Sequence, residues 1–411
     1  MSRGTRLLYL TQWFDPEPGV IKGTAFVRAL VNAGYDVTVV TGFPNYPEGK
    51  LYPGYRMRLH CRETIGGVAV TRIPLYPSHN SSSVGRALNF LSFFASALAY
   101  GLLRAQRFDL IYVYHPPITV GLAAALFGWF RRRRFILEIQ DLWPDTILAS
   151  GMAGTTIARV LGLLCRFTYQ RAHSIIVQSE GMRAKLIERG VPAAKVNVVR
   201  NWADAAAASI SAPVVARPAG TPLKLLYAGN LGRMQALEVV VDAVERANAL
   251  RPALSTELVL LGDGIEAANL RRHVATTGAT AVRFAPRVPV ADLSVFIGAA
   301  DIMVLHLSDD PLFEITIPSK TQFYLASGKP ILAGISGEAA SLLRQSGAAI
   351  VAPPGDRAAI ADAIAKFASM TPGERDQMGT NGRAFYDTHL SFDRGMVQTL
   401  ALIAAARDAK S

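Results

Sequence analysis

The sequence predicts an α/β protein built from two doubly wound parallel-sheet domains that face each other across a cleft. Three observations predict it. Strand-like and helical runs alternate along the chain, the alternation breaks once near residue 203, and it then begins again. A chain of 411 residues, half of them hydrophobic, is long enough for two cores.

In the first half the strand-like runs are LLYLTQW, DVTVVTGF, VAVTRI, LIYVYH, FILEIQD, SIIVQSE and VNVVRN. Helical stretches at 24–33, 86–106, 118–130 and 155–171 separate most of them. The break reads ADAAAASISAPVVARPAGTP, whose alanines and prolines suit an interdomain connection. Then come LKLLYAGNLG, a helix over 235–250, TELVLLGDG, a helix near 265–277, VRFAPRV, IMVLHL, a short helix opened by IPSK, KPILAG and AAIVAPP. The predicted bounds are a first domain over 1–202, a linker over 203–222 and a second domain over 223–390. A C-terminal helix over 391–411 is placed to return to the first domain. The opening MSRGTRLLYLTQWF has too short an apolar run for a signal peptide and reads as the first strand. Cys61 and Cys165 lack metal-like spacing, so a reducing, cytoplasmic setting fits better than a disulfide framework.

The net charge of +12 is uneven: residues 1–200 hold 24 Lys and Arg against 11 Asp and Glu, and residues 201–411 hold 19 against 20. A basic first domain points to an anionic partner, nucleic acid or a membrane surface. The stretch GRALNFLSFFASALAYGLLRAQR (85–107) is marginal for spanning a bilayer and carries Asn89 and serines, so it reads as a helix of the fold with a greasy outer face. FGWFRRRRF (127–135) sets Trp129 and Phe130 beside four arginines, a pairing that suits anionic lipid headgroups as well as a solvated basic turn. No nucleic-acid module is recognisable, so no nucleic-acid partner is expected.

Ligands of open parallel sheets sit outside the carboxyl ends of the strands. After the first strand, Gly19, Lys22 and Gly23 belong to a turn that opens a helix without a G-x-G-x-x-G fingerprint. His115 and Asp141 end two later strands and could hold or deprotonate a reacting hydroxyl, while Asp145 suits a turn or a cap. In the second domain Gly229, Asn230, Gly232 and Arg233 follow one strand, and Gly262 and Gly264 follow the next, as a nucleotide-binding edge would require. Asp309 and Asp310 are adjacent and make a poor metal clamp, so no catalytic metal is expected. In IPSKTQFYLASGKP, Ser319 reads either as an N-cap or as part of an anion seat reinforced by Lys320.

These stretches resemble the retaining glycosyltransferases of family 4, above all in EIQDLWPD, VVRNWAD, YAGNLG, LLGDG and IPSKTQFYLASGKPIL. Within that family the chain is similar to proposed bacterial fucosamine transferases of surface polysaccharide synthesis. The resemblance implies a GT-B fold of two Rossmann-like lobes and transfer of a sugar, with retention and without metal or cofactor, from a nucleotide diphosphate donor such as a UDP-sugar. The donor would contact Gly229, Asn230, Gly232, Gly262, Gly264, Arg287, Glu314, Thr316 and Ser319, with Lys320 and Arg233 on its diphosphate. The acceptor, a polyprenyl-diphosphate-linked or glycan molecule, would approach Gly19, Lys22, Gly23, His115 and Asp141 at the inner face of the cell membrane. The chain departs from the family's pattern at Ile315 and Phe323, where an acidic pair is usual, at Asn230 and Gln235 in place of basic residues, and at Asp141 in place of histidine. Two other readings stay open: a sugar-nucleotide epimerase of the same fold, and a non-catalytic nucleotide-sugar-binding partner.

Overall fold

The computed structural model describes residues 4–78, 83–115, 117–149, 154–203, 221–251, 255–289 and 292–409. The predicted linker therefore lies mostly outside the described residues. The chain divides into two compact units, Met1–Arg200 together with Gly395–Ser411, and Asn201–Arg394.

Unit 1 carries β1 (Arg6–Leu10), β2 (Asp36–Gly42), β3 (Cys61–Ile65), β4 (Val68–Ile73), β5 (Leu110–His115), β6 (Phe135–Ile139), β7 (Ser174–Val177) and β8 (Val196–Val198). They form one sheet in the order β3-β4-β2-β1-β5-β6-β7-β8, parallel except for the β3–β4 pair. Its central strands are largely apolar, as burial on both faces demands: all five residues of FILEI in β6 are buried, Glu138 being the one charged side chain among them. The helices are α1 (Thr24–Asn32), α2 (Ser83–Arg104), α3 (Ile118–Arg131), α4 (Asp145–Ala149), α5 (Thr155–Arg171) and α6 (Glu180–Glu188).

Helix α2 carries apolar residues on both its buried and its exposed faces. Asn89, Phe93, Ala97, Gly101 and Ala105, spaced four apart, form its buried stripe. Gly101 lies so close to α3 that a Cβ there would stand 2.2 Å from the Phe127 ring. Val84, Leu88, Leu91 and Leu103 are exposed on the opposite side. By length and composition Val84–Arg107 could cross a membrane. Its packing against α3 makes it a layer of the α/β unit instead.

Unit 2 carries β9 (Leu223–Ala228), β10 (Thr256–Leu261), β11 (Val282–Ala285), β12 (Ile302–His306), β13 (Ile331–Gly334) and β14 (Ala349–Ala352), all parallel, in the order β11-β10-β9-β12-β13-β14. Its helices are α7 (Leu237–Leu250), α8 (Ala267–Thr277), α9 (Leu293–Ala299), α10 (Pro311–Glu314), α11 (Ser319–Ala326), α12 (Gly337–Gln345), α13 (Arg357–Ser369), α14 (Pro372–His389) and α15 (Phe392–Asp408), the last of which runs on into unit 1. Alternate residues of each strand enter different cores. Leu226, Met303 and Ala333 join Tyr324 and Leu343 on one face. Leu225, Ile302 and Leu332 join Val240 and Ile364 on the other. That alternation is the signature of a sheet covered on both sides.

Replacing Gly101 with leucine should lower stability by about 1–3 kcal/mol, the usual cost of overpacking. Urea unfolding measures it, and an unchanged midpoint would mean that α2 and α3 can separate freely.

Candidate active site

In each sheet the strand order reverses direction once, and the loops leave a crevice at that point. In unit 1 the reversal lies between β1 and β5, with β6 next along. The loop after β1, the end of β5 and the end of β6 are therefore neighbours. His115 pairs through its backbone with Ile139, two residues before Asp141, so both candidates sit at adjacent strand ends. The His115 side chain lies outside the description. Asp141 is exposed, yet the protein crowded around it displaces enough water to push its carboxyl up to about 6. A carboxyl that titrates there can exchange a proton near neutrality. Asp145 is occupied otherwise, 2.6 Å from Arg189 at the end of α6.

The loop after β1 is pinned at both ends. Glu17 accepts hydrogen bonds from the backbone N–H of Asn45 (2.8 Å) and Tyr46 (2.9 Å). Asp15 accepts from the N–H (2.6 Å) and hydroxyl (2.7 Å) of Thr24, supplying the cap that Gly23 lacks at the start of α1. A Cβ on Gly23 would stand 2.4 Å from the Asp15 carboxylate, so the glycine serves this contact.

Lys22 requires a correction. Instead of facing an acceptor it is fully buried, with Nζ 2.6 Å from Glu138 Oε2. The Tyr112 hydroxyl donates to the same oxygen, and Gln140 Nε2 donates to the other (2.8 Å). Burial lowers the Lys22 ammonium pKa, and the Glu138 carboxylate opposes that shift without cancelling it. Lys22 thus anchors the loop from below. Glu138, a lone acid within an apolar strand, was the sequence signal for this pair.

In unit 2 the reversal lies between β9 and β12. Here the opening glycines do two jobs. A Cβ on Gly262 would fall 1.9 Å from the Gly229 carbonyl oxygen, and one on Gly264 would fall 2.3 Å from that of Leu231. Those two glycines therefore let one turn lie against the next, a packing role beside the predicted ligand approach. Gly229, at φ 138°, keeps its own outer side clear, and the Lys320 side chain crosses it: a Cβ there would stand 2.7 Å from Lys320 Cε.

Lys320 lies in the first turn of α11, with Nζ 4.7 Å from the centre of the Tyr227 ring. Tyr324, one turn on, accepts from the Ala228 N–H (3.2 Å) and so ties the helix to the end of β9. Burial pushes the Lys320 ammonium down to about 8. An anion seated beside it would restore the charge, which is how a phosphate-binding lysine behaves before its ligand arrives. The cap reading of Ser319 is also corrected: Pro318 is the N-cap, no side chain caps the helix, and Ser319 is exposed within it.

The remaining candidates lie on loops of unit 2. Arg233 is 83% exposed and only 3.6 Å from Glu266, a loose pair that leaves it able to turn. Asn230, Arg287 and Glu314 are exposed and Thr316 is half-buried. Phe323 packs against the core, so no acid occupies that position. A residue that sequence reasoning missed is His306, buried at the end of β12. Its Nδ1 is 2.7 Å from the Gln235 carbonyl, and its Nε2 accepts from the Gly355 N–H (3.3 Å). One donor and one acceptor define a neutral ring, and burial favours that form by lowering its pKa. His306 so braces the loop after β9 against the loop after β14.

Residues 24–202 match the family described as Glycosyl transferase 4-like domain, and residues 222–369 match Glycosyl transferases group 1. The chain is 27% identical over 330 residues to WcaI of Escherichia coli (strain K12), provisionally described as a colanic acid biosynthesis glycosyl transferase, covering 77% of this chain and 79% of WcaI. It is 24% identical over 270 residues to WbjE of Pseudomonas aeruginosa, provisionally described as a glycosyltransferase, where the match spans 64% of this chain and 66% of WbjE, just under two thirds of that protein. Among solved structures, HepE of Anabaena in complex with UDP and glucose superimposes over 98% of this chain and 100% of its own, with a TM-score of 0.67 at 16% identity.

Replacing Lys22 with methionine strands the Glu138 carboxylate in the core and should cost about 3–5 kcal/mol, more than the double change with Glu138→Gln. Chemical denaturation of the three proteins checks the order, and equal losses would contradict the pairing.

Proposed function

We propose that this chain, which belongs to the family 4 glycosyltransferases of GT-B fold, transfers a sugar with retention of configuration from a nucleotide diphosphate donor to a polyprenyl-diphosphate-linked or glycan acceptor in bacterial surface polysaccharide synthesis. The observation that carries the reading is Lys320, half-buried over the bare Gly229 at the uncapped mouth of α11. The diphosphate gains negative charge as the glycosidic bond breaks, and donors already aimed at it lower the barrier. Lys320 and Arg233 supply that charge without a metal, while the α11 backbone supplies N–H groups. A UDP-sugar fits this role, as HepE was crystallised with UDP and glucose. Glu314 takes over the contact to the donor ribose that Phe323 cannot make. Asp141 holds the acceptor hydroxyl and exchanges its proton, together with His115.

The DLWPD and PSKTQ motifs favour the fucosamine-transferase branch, and the colanic acid role of WcaI favours a lipid-linked intermediate of an O-antigen, capsule or exopolysaccharide. The enzyme works in the cytoplasm, held peripherally at the inner face of the membrane through the basic, apolar surface of unit 1.

Incubation with labelled nucleotide sugars and a membrane lipid extract should yield a labelled lipid; an altered free nucleotide sugar would identify an epimerase, and binding without turnover a non-catalytic partner. Lys320→Ala should reduce turnover at least roughly tenfold with the fold intact. Because Lys320 is protonated below about 8, kcat/KM for the donor should fall above that pH. Lys320→Arg should flatten that limb. Changing Arg131 to Arg134 to serine should weaken sedimentation with anionic vesicles, and undiminished sedimentation would remove the surface reading.

A further inference from the structure

At the foot of unit 1, where β6 and β7 begin and opposite the candidate active edge, lies a pocket of about 380 Å³. Five cations line it: Arg132, Arg133, Arg134, Arg171 and Lys195. No lining residue is acidic. Helix ends explain part of this crowd, because carbonyls at a C-terminus attract cations. Lys195 donates to Gln170 O and Ala172 O at the end of α5 (both 3.0 Å), Arg133 to Gln106 O after α2 (3.2 Å), and Arg134 to Ala409 O after α15. Four helix C-termini, those of α2, α3, α5 and α15, at about half a negative charge each, offset about two of the five positive charges. The rest is surplus.

Arg132 and Arg171 hold no carbonyl or carboxylate acceptor among the described residues. Arg171 stacks 4.6 Å from the centre of the Trp129 ring, which keeps its planar fork in place. Arg132 sits at φ 52°, ψ 48°, the left-handed position after α3 where glycine is the favoured residue. The chain keeps a guanidinium there against its local backbone preference. Beside the pocket, Trp129 (52%), Phe130 (66%) and Leu103 (78%) are exposed, and the outer stripe of α2 continues from them. That helix is 22 residues long, about 33 Å. At its other end Asn89 accepts from Gln12, just beyond β1 at the active edge (2.6 Å).

We propose that this pocket seats the phosphate of an anionic phospholipid headgroup, with Arg132 and Arg171 as its direct ligands, so that α2 lies along the bilayer surface with its far end at the acceptor loops. The inference rests on the membrane-surface reading above and narrows it to one built site.

Vesicles of phosphatidylcholine with and without phosphatidylglycerol test it by co-sedimentation. Wild type should prefer the anionic vesicles. The pair Arg132→Gly and Arg171→Gln, whose first change relieves the left-handed strain, should lower that affinity at least about tenfold at an unchanged melting temperature. The equally exposed pair Arg56→Gln and Arg58→Gln, with the same loss of charge outside the pocket, should lower it no more than about threefold. Equal losses would leave diffuse surface attraction and overturn the pocket, whereas a wild type indifferent to phosphatidylglycerol would overturn the surface reading with it. His173 lines the pocket and has its pKa lowered by burial and by Arg134 and Lys195. NMR titration of its ring with phosphatidylglycerol micelles should show that pKa rising, and no movement would also count against the seat.

Discussion

Everything at the donor edge depends on one backbone contact, the approach of the Gly229 carbonyl to Gly262. The parallel ladder does not stop where β9 and β10 stop: the Gly229 N–H donates to Leu261 O (2.9 Å) and the Gly262 N–H to Ala285 O (3.1 Å). Carrying the ladder into the turns satisfies polar groups that would otherwise need water. It also brings the turns so close that side chains cannot fit between them. Bare main chain is then what the edge offers to its surroundings, and Lys320 can lie across it with an aromatic ring beneath.

Unit 1 solves a related problem by other means. Its first loop is long, contains two prolines and has little regular structure, so its position must be fixed by side chains. The Lys22–Glu138 pair does this from inside the protein, where one unpaired charge would be far more costly than the pair. Glu17 and Asp15 do it at the rim, Glu17 by collecting backbone N–H groups and Asp15 by holding the N–H and hydroxyl of Thr24. The loop that would meet an acceptor is therefore rigid at its root and open at its tip, where Gly19 takes a left-handed φ of 77°.

The alternation of strands and helices, and with it the doubly wound class, was legible in the sequence because apolar runs of five or six residues separated by helical periods leave few alternatives. The place of Lys320 in the first turn of a helix was legible for a similar reason: a proline followed by a short apolar run marks a helix start. Lys22 was not, since its partner lies 116 residues away and nothing near it in sequence foretells burial. His306 was hidden in the same way, as its partners Gln235 and Gly355 come from loops far apart in the chain. Gly262 and Gly264 were noted, but their packing of one turn on the next was not, because a bare turn that faces a ligand and one that faces another turn look alike in one dimension. Local chemistry could be read directly; long-range pairing could not.

The two-faced helix α2 has a consequence for how an acceptor would be found. A helix that rests along a bilayer confines the protein to a plane, and a polyprenyl-linked acceptor is confined to the same plane. On the proposed docking, their meeting is a two-dimensional search, governed by the number of acceptors per area of membrane rather than by a bulk concentration. An affinity for the acceptor measured in detergent solution would then understate how often the site is filled in a membrane.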